Sequence, residues 1–353
     1  MKKSTKVLVT GVGGRSVGAG ILFALTSASR KYEVIGTDAD SFSFGIYKAS
    51  EGYVIPKANS PDYCDVLNDI ARTRHVEAIF PGTIPEVETL SENKDKIEAP
   101  LVMNLNAGLA ETSKDKMLVY EHLKRLGIDT PETVLPDMVH ELISAKGFPI
   151  IIKPRTGTGA SRNVTLIANA KELKSVQDIY EKENIEYIFQ EVIGSGEDEY
   201  TVGILNDREG NLIDSIVIYR KLTGLSLKEQ RIINDKTYSI STGYSQGYIV
   251  KNNIVSEYCE KAAMLLNNVG PLNLQVRLSD EKVYVFEVHP RFSGTTPIRA
   301  SAGFNEPETL FRNFVLGEKF GRLDYQYDVA AIRAFEHVLV PTDKMKRPWK
   351  LKA

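Results

Sequence analysis

Cysteine and tryptophan are scarce in this chain: two of the first and one of the second among 353 residues. Cys64 and Cys259 stand far apart with no metal-ligand spacing around either, which excludes a disulfide framework and a thiolate metal cluster and fits a reducing compartment. An excess of charge of either sign is also lacking. The formal net charge of -2 gives no field that would gather nucleic acid, and the one basic stretch, residues 344–352, reads as a solvated terminus. No apolar run approaches the ~20 residues of a membrane-spanning helix, and residues 1–6 lead into a strand with no apolar leader. A cytoplasmic protein with neither a membrane nor a nucleic-acid partner is expected. Internal repeats and low-complexity linkers are missing too. His75, His122, His140 and His337 lie in ordinary helical or strand contexts and are assigned no function.

With 42% hydrophobic and 25% charged residues, the chain is long enough for two or three domains with separate cores. An apolar strand at 6–10, a glycine-rich turn at 11–20, an apolar helix at 19–29 and a strand at 33–38 make a βαβ opening. The alternation continues through a helix near 61–74, a strand at 78–80, a helix at 86–93 and a strand at 100–103, which predicts a parallel sheet with helices on both faces. From residue 113 onward the pattern changes to α+β with antiparallel hairpins. A helix at 114–126 ends in Gly127, strands follow at 148–153, 164–168, 187–191, 199–205, 212–219, 273–278 and 283–289, and helices at 171–183 and 255–267.

The strand at 283–288 ends in Glu287-Val288-His289-Pro290-Arg291, and with period two Glu287 and His289 project to one face. A three-residue loop at 280–282 would pair Gln275 with Glu287 and Asn273 with His289; a two-residue loop would turn Gln275 to the opposite face. A carboxylate and an amide suit Mg²⁺ held mainly by phosphates, and Arg291 could reach a transferring phosphoryl group. Taken alone, a strand-end Glu capped by Arg is the simpler reading. Lys153 directly precedes Pro154, Gly157, Thr158, Gly159 and Ser161, the reverse of a Walker A order; such a strand lysine and loop can fold over a triphosphate. Gln190, Glu191, Val192 and Ile193 end a strand where backbone groups can read an adenine edge, and Glu199 can bond ribose hydroxyls. Lys116 by itself would be a solvated lysine. The loop Gly11, Gly13, Gly14, Gly18 with Asp38 downstream invites a nicotinamide-dinucleotide reading, but the third fingerprint glycine falls on Ser16.

In this order, Lys116, Lys153 with Gly157 and Gly159, Gln190 to Ile193, Glu199, Gln275, Glu287, His289 and Arg291 resemble the ATP-grasp superfamily, especially modules of the carbamoyl phosphate synthetase large subunit and stand-alone carboxylate-amine ligases. The resemblance implies an α/β Rossmann-like pre-ATP-grasp domain (1–112) followed by an α+β ATP-grasp domain of two subdomains (113–189 and 190–312), with 313–353 packed on that core. It implies ATP as cofactor with Mg²⁺, Mn²⁺ being the alternative cation. Lys116 and Lys153 then contact phosphates, residues 157–161 close over them, Glu191 and Ile193 frame the adenine, and Glu199 matches the ribose position. Gln275 and Glu287 match metal ligands and Arg291 the arginine that steadies the γ-phosphate. His289 stands where the family usually has a metal-binding Asn, and Gly294 where carbamoyl phosphate synthetase has a further arginine, which argues against bicarbonate. Arg220, Lys221 and Arg231 are candidates for holding the substrate carboxylate, with Arg220, Lys153 and Arg291 as the catalytic set. The implied activity is carboxylate-amine, or carboxylate-thiol, ligation through an acyl-phosphate with release of ADP and phosphate; the partners are a small acid and an amine, and a homodimer through the first domain is a common arrangement in the family. The rival readings are a nicotinamide-dependent oxidoreductase and a non-catalytic ATP-binding subunit of a larger synthetase.

Overall fold

The computed structural model describes residues 4–14, 16–157 and 162–351. The first part is β1 (Thr5–Val9), α1 (Val17–Thr26), β2 (Tyr32–Asp38), α2 (Gly45–Lys48), β3 (Glu51–Val54), α3 (Tyr63–Arg74), β4 (Ala78–Phe80) and α4 (Ile84–Glu92). Its four strands pair in parallel in the order β3-β2-β1-β4. The expected strand at 100–103 reduces to a single parallel bridge from Leu101 to Ile79. Helix starts follow capping chemistry: Ser16 accepts from the Ala19 N–H, and Thr83 caps α4 with a proline in the first turn. The C-terminal ends of β1, β2 and β4 lead into the loops that begin at Thr10, Ala39 and Pro81, which is where an open α/β sheet presents ligand-facing groups.

Next come α5 (Ala107–Thr112), α6 (Lys116–Arg125), β5 (Thr133–Val134), α7 (Val139–Lys146), β6 (Ile150–Pro154), β7 (Thr165–Ile167), α8 (Ala170–Lys182) and β8 (Tyr187–Glu191), with an antiparallel sheet β5-β8-β6-β7. The last part is β9 (Glu199–Asn206), β10 (Leu212–Arg220), β11 (Leu227–Ile233), β12 (Lys236–Ser241), β13 (Gly247–Val250), α9 (Asn253–Leu265), β14 (Pro271–Ser279), β15 (Lys282–His289), α10 (Thr296–Ser301), α11 (Glu306–Phe314) and β16 (Val329–Ala331). Six of its strands form one antiparallel sheet, β15-β14-β9-β10-β13-β16, while β11 and β12 make a separate hairpin.

Buried side chains fall into four clusters. One joins Val7, Val9 and Phe80 of the first sheet to Ile216, Phe292, Phe304 and Phe311 of the last part, so these two parts share a core. Another packs α9 on Val202, Leu274, Val276 and Val285, and Leu123 of α6 joins it. Residues 139–189 bury Ile150, Ile152, Ile167, Leu173 and Phe189 in a cluster of their own. In the segment 344–351 the basic side chains Lys344, Lys346, Arg347 and Lys350 are exposed, as the sequence suggests, while Trp349 anchors the segment to the first part. Trp349 donates to Asp69 (2.9 Å) and meets Tyr53 edge-on, an aromatic body with its N–H satisfied. Among the described residues no helix is long and apolar enough to cross a membrane.

Candidate active site

The hairpin β14–β15 sets the centre of the site. Its turn is the two-residue one, Asp280-Glu281, both in the left-handed region (φ 51° and 59°). By itself this turn would direct Glu287 toward the α9 core. A bulge intervenes between Gln275 and Val276: Val276 pairs with Val285 but Gln275 pairs with Glu287, so Phe286 is an extra residue. Val283 and Val285 therefore face the α9 core before the bulge and Val288 after it, while Glu287 and His289 face the other side. The pairings Gln275 with Glu287 and Asn273 with His289 stand, but the bulge makes them rather than a three-residue loop. Glu287 Oε2 accepts from Gln275 Nε2 (2.8 Å) and lies 2.9 Å from His289 Nε2.

Two lysines close on this carboxylate from other stretches of chain. Lys153, on β6, is buried and donates to Gln190 Oε1 (3.0 Å), whose amide in turn donates to Thr133 (2.8 Å). Burial, with the Lys116 charge beside it, pushes the Lys153 ammonium down to about 8 against a partial lift from Glu287. Lys116 opens α6 at a helix N-terminus, where the dipole disfavours a cation, and donates to the Gly157 carbonyl (3.3 Å). Burial lowers it too, against Glu287 and Asp115. For Glu287 burial acts upward but is outweighed by His289, Lys153 and Lys116, which hold it at about 2. The three charges thus act on one another in one partly open place, of which Lys153 is the buried member. Of the phosphate-loop residues named from the sequence, Gly157 is described; Thr158, Gly159 and Ser161 lie outside the described residues.

Other expected residues are engaged differently. Arg220 is engaged within the protein. Its terminal nitrogens bond Glu199, Ser241 (2.9 Å), Gln275 (3.3 Å) and the Thr242 carbonyl (2.8 Å), because a buried guanidinium at a strand end takes the nearest carboxylate. Glu199 is buried between Arg220 and Arg277, so a ribose hydroxyl would compete for oxygens already in use. Arg277 also donates to the Ile193 carbonyl (2.9 Å), tying the segment with Glu191, Val192 and Ile193 to the sheet, and Glu191 itself pairs with Lys146 (2.7 Å). Arg231 is drawn away by Glu172 of α8 (2.7 Å), and the half-exposed Lys221 lies 3.6 Å from Glu197. Neither is placed to hold an acid.

Two cations flank the segment after β15. Arg291 is desolvated, down to about 10 with only Glu287 acting against that, and donates to the Phe292 carbonyl (2.8 Å). Arg333, unremarked in the sequence, donates to the Gly294 carbonyl (3.0 Å) and lies over the Tyr244 ring at 5.1 Å. Burial lowers its pKa as well, against a partial lift from Tyr244. Arg333 thus places a guanidinium beside Gly294, where the sequence has no arginine of its own. Beneath the site Arg299 donates to Asn273 Oδ1 (2.7 Å) and pairs with Glu306 (2.8 Å), an arrangement that needs Gly203, since a Cβ there would sit 2.3 Å from Arg299 Nη1. On the first sheet, Gly11 (φ +58°) leaves room for Glu86, whose carboxylate would lie 2.5 Å from a Cβ.

Comparisons with known proteins follow the same division. A model of the ATP-grasp domain matches residues 113–295, and one of the PylC-like N-terminal domain matches residues 7–103. Among solved structures, the N5-carboxyaminoimidazole synthetase of Staphylococcus aureus complexed with ADP is 16% identical with a TM-score of 0.66, over 92% of this chain and 81% of that one. The biotin carboxylase domain of Hydrogenobacter thermophilus 2-oxoglutarate carboxylase, solved with MgADP and bicarbonate, is 18% identical with a TM-score of 0.63, over 94% and 73%. The L-amino acid ligase of Bacillus licheniformis is 16% identical with a TM-score of 0.62, over 89% and 75%. At these identities the structural likeness establishes the fold.

Proposed function

Because this chain belongs to the ATP-grasp family of ligases, we propose that it is an ATP-dependent carboxylate-amine ligase that works through an acyl-phosphate and releases ADP and phosphate. The observation that supports this reading is the mutual charge coupling of Lys116, Lys153 and Glu287, which come from three separate stretches of chain. On this reading residues 1–112, 113–189, 190–312 and 313–353 are the functional units.

A carboxylate resists attack because its charge is delocalised, so its oxygen first takes the γ-phosphoryl group and ADP departs; the amine then adds to the acyl carbon and phosphate leaves. The protein's contribution is position and charge rather than a nucleophilic side chain. Lys116 and Lys153 neutralise the polyphosphate. Arg291 steadies the phosphoryl group in transfer, and Arg333 holds the acid beside it. Among the described residues no three His, Cys, Asp or Glu side chains converge. Glu287, with Gln275 and His289 beside it, would hold a divalent cation, which would take most of its ligands from phosphate. Such a cation, Mg²⁺ in the family, would when bound supply charge neutralisation to the phosphates. Water at the reacting centre would hydrolyse the activated acid, so closure over bound nucleotide would have to exclude it.

The test is incubation with ATP, Mg²⁺, a panel of small acids and hydroxylamine. Hydroxamate with stoichiometric ADP is the expected product. AMP and pyrophosphate would overturn the reading, as would tight NAD(H) binding with no ATP binding.

A further inference from the structure

Resting on that reading, we infer that Glu199 does not read the sugar of the nucleotide. Arg220 and Arg277 hold both of its oxygens, Arg277 is a positioning residue for the base-reading segment 191–195, and the site takes 2′-deoxy and 3′-deoxy nucleotides as readily as ribonucleotides. Three observations lead there.

First, the carboxylate is engaged and closed off. Glu199 opens β9 directly opposite Arg277 of β14, and its Oε2 accepts from Arg277 Nη2 (3.3 Å). Oε1 accepts from Arg220 Nη1. An ionised carboxylate has further lone pairs, but the residue is only 2% exposed, so a sugar hydroxyl arriving from outside does not meet them.

Second, neither arginine can release it without loss. Among the described residues Glu199 is the one carboxylate paired with either of them. Arg220 is buried and its Nε already makes no hydrogen bond; its other partners are the neutral groups of Ser241 (2.9 Å), Gln275 (3.3 Å) and Thr242 (2.8 Å). Swinging Glu199 out to a ribose would leave two buried guanidinium groups around no anion, a larger loss than two sugar hydroxyls could offset.

Third, the triad has a different task. Arg277 Nη1 donates to the carbonyls of Ile193 (2.9 Å) and Ser195 (2.6 Å), and Nη2 to that of Ser239 (3.3 Å). Asp198 fixes the same turn by accepting from the Ser195 N–H (2.6 Å). Gly196 lets the turn press on β12, since a Cβ there would sit 2.3 Å from Ser239 Oγ. The backbone that meets the adenine edge is thus held from behind by Arg277, and Glu199 neutralises the guanidinium that holds it. Sugar selectivity follows from what is left unpaired. A buried carboxylate that bonds a substrate hydroxyl rejects the analogue lacking it, because the carboxylate then stands alone. Here both oxygens keep their partners whether the hydroxyl is present or not.

The experiment uses the full chain in the hydroxylamine assay with ATP, 2′-deoxyATP and 3′-deoxyATP. KM for the three is expected to agree within about threefold, whereas a carboxylate bonded to the sugar would lose about tenfold or more with a missing hydroxyl. Arg277→Lys, which cannot span both carbonyls and Glu199, should raise KM for all three nucleotides by a common factor of about ten and leave kcat within about twofold. Glu199→Gln should likewise move all three alike. The comparison in the native protein needs no variant, so a folding defect in either one leaves it standing. Discrimination against either deoxynucleotide by more than about tenfold, or a ratio that changes in Glu199→Gln, would overturn the inference while leaving the ligase reading intact. Absence of hydroxamate and ADP with ATP itself would instead overturn the ligase reading.

Discussion

Burying Lys153 without a carboxylate in contact carries a cost in the ligand-free protein, and the depressed ammonium, at about 8, records it. The unfolded chain holds that proton up to its ordinary 10.5, so the penalty is fully present below about 8 and is relieved as pH rises from 8 toward 10.5. Nucleotide binding has the opposite sign. A polyphosphate needs the charged lysine, so affinity should fall above about pH 8 and binding there should take up a proton. Calorimetry at about pH 8.5 in two buffers of different ionisation enthalpy should detect this uptake in the native protein and lose it in Lys153→Gln; equal proton release in both would contradict the assignment. Arg333→Ala should raise KM for the acid by about tenfold or more, the scale of one charge-assisted hydrogen bond, and leave KM for ATP within about twofold. An effect confined to ATP would remove Arg333 from the acid pocket. The two residues also mark what could be read in advance. Lys153 announces itself by preceding its own glycine loop, whereas Arg333 reaches Gly294 across 39 residues through a backbone carbonyl, which leaves no local pattern.

At the level of elements, β15 was legible as a strand because its β-branched and aromatic run is local, and its partner could be guessed from one short connection. The bulge was not legible: whether a residue is added to one strand depends on how β14 packs on β9 and α9, which the hairpin sequence does not contain. The hairpin β11–β12 was missed for a related reason. β11 alternates half-buried and exposed positions while β12 does not, and the hairpin packs on a surface distant in sequence. That surface is β7 and α8. Arg231 forms a two-pronged pair with Glu172 (2.9 and 2.7 Å) and donates to the Leu166 carbonyl (3.0 Å), and Lys228 donates to Val164 (2.7 Å). The hairpin clasps the unit that carries the phosphate loop. Arg231 holds the Glu172 carboxyl at about 2, so the pair contributes fully above about 4.5 and fades only as pH falls toward 2. The clasp thus persists throughout the neutral range. Both side chains are about one-third exposed, which puts the pair at about 0.2–1 kcal/mol. Arg231→Gln should therefore speed release of a fluorescent ATP analogue by only about 1.5- to 5-fold in stopped flow. An unchanged release rate would show that the clasp plays no part in retaining nucleotide.

Across the whole molecule, the distribution of cores decides what can move. Tyr32 and Phe311 meet edge-to-face at 5.5 Å, and Phe80 and Phe292 lie 6.3 Å apart, so the first sheet and the β15 side of the site are cemented by one apolar cluster. Phe292 is the neighbour of Arg291, which ties the phosphoryl-handling arginine to this rigid body. The unit of β5 to β8 with α7 and α8 has a separate core and reaches the rest through polar contacts such as Lys116 with Gly157 and Arg155 with Asp115 (2.8 Å). Sequence placed the whole of 113–189 in that unit, but α6 lends Leu123 to the α9 core instead, because its one buried face meets β15. Hydrogen exchange should consequently find residues 133–191 opening at lower free energy than β1, β9 or β14, with protection rising there when an ATP analogue binds. Phe311→Ala gives the complementary test. Removing a fully buried ring from the shared cluster should cost about 3–5 kcal/mol, and the loss should appear in β1 and β14 exchange alike while residues 139–189 keep their native protection. If β1 loosened while β14 did not, the first sheet and the last would not be one body, and Arg291 could not owe its fixed position to both.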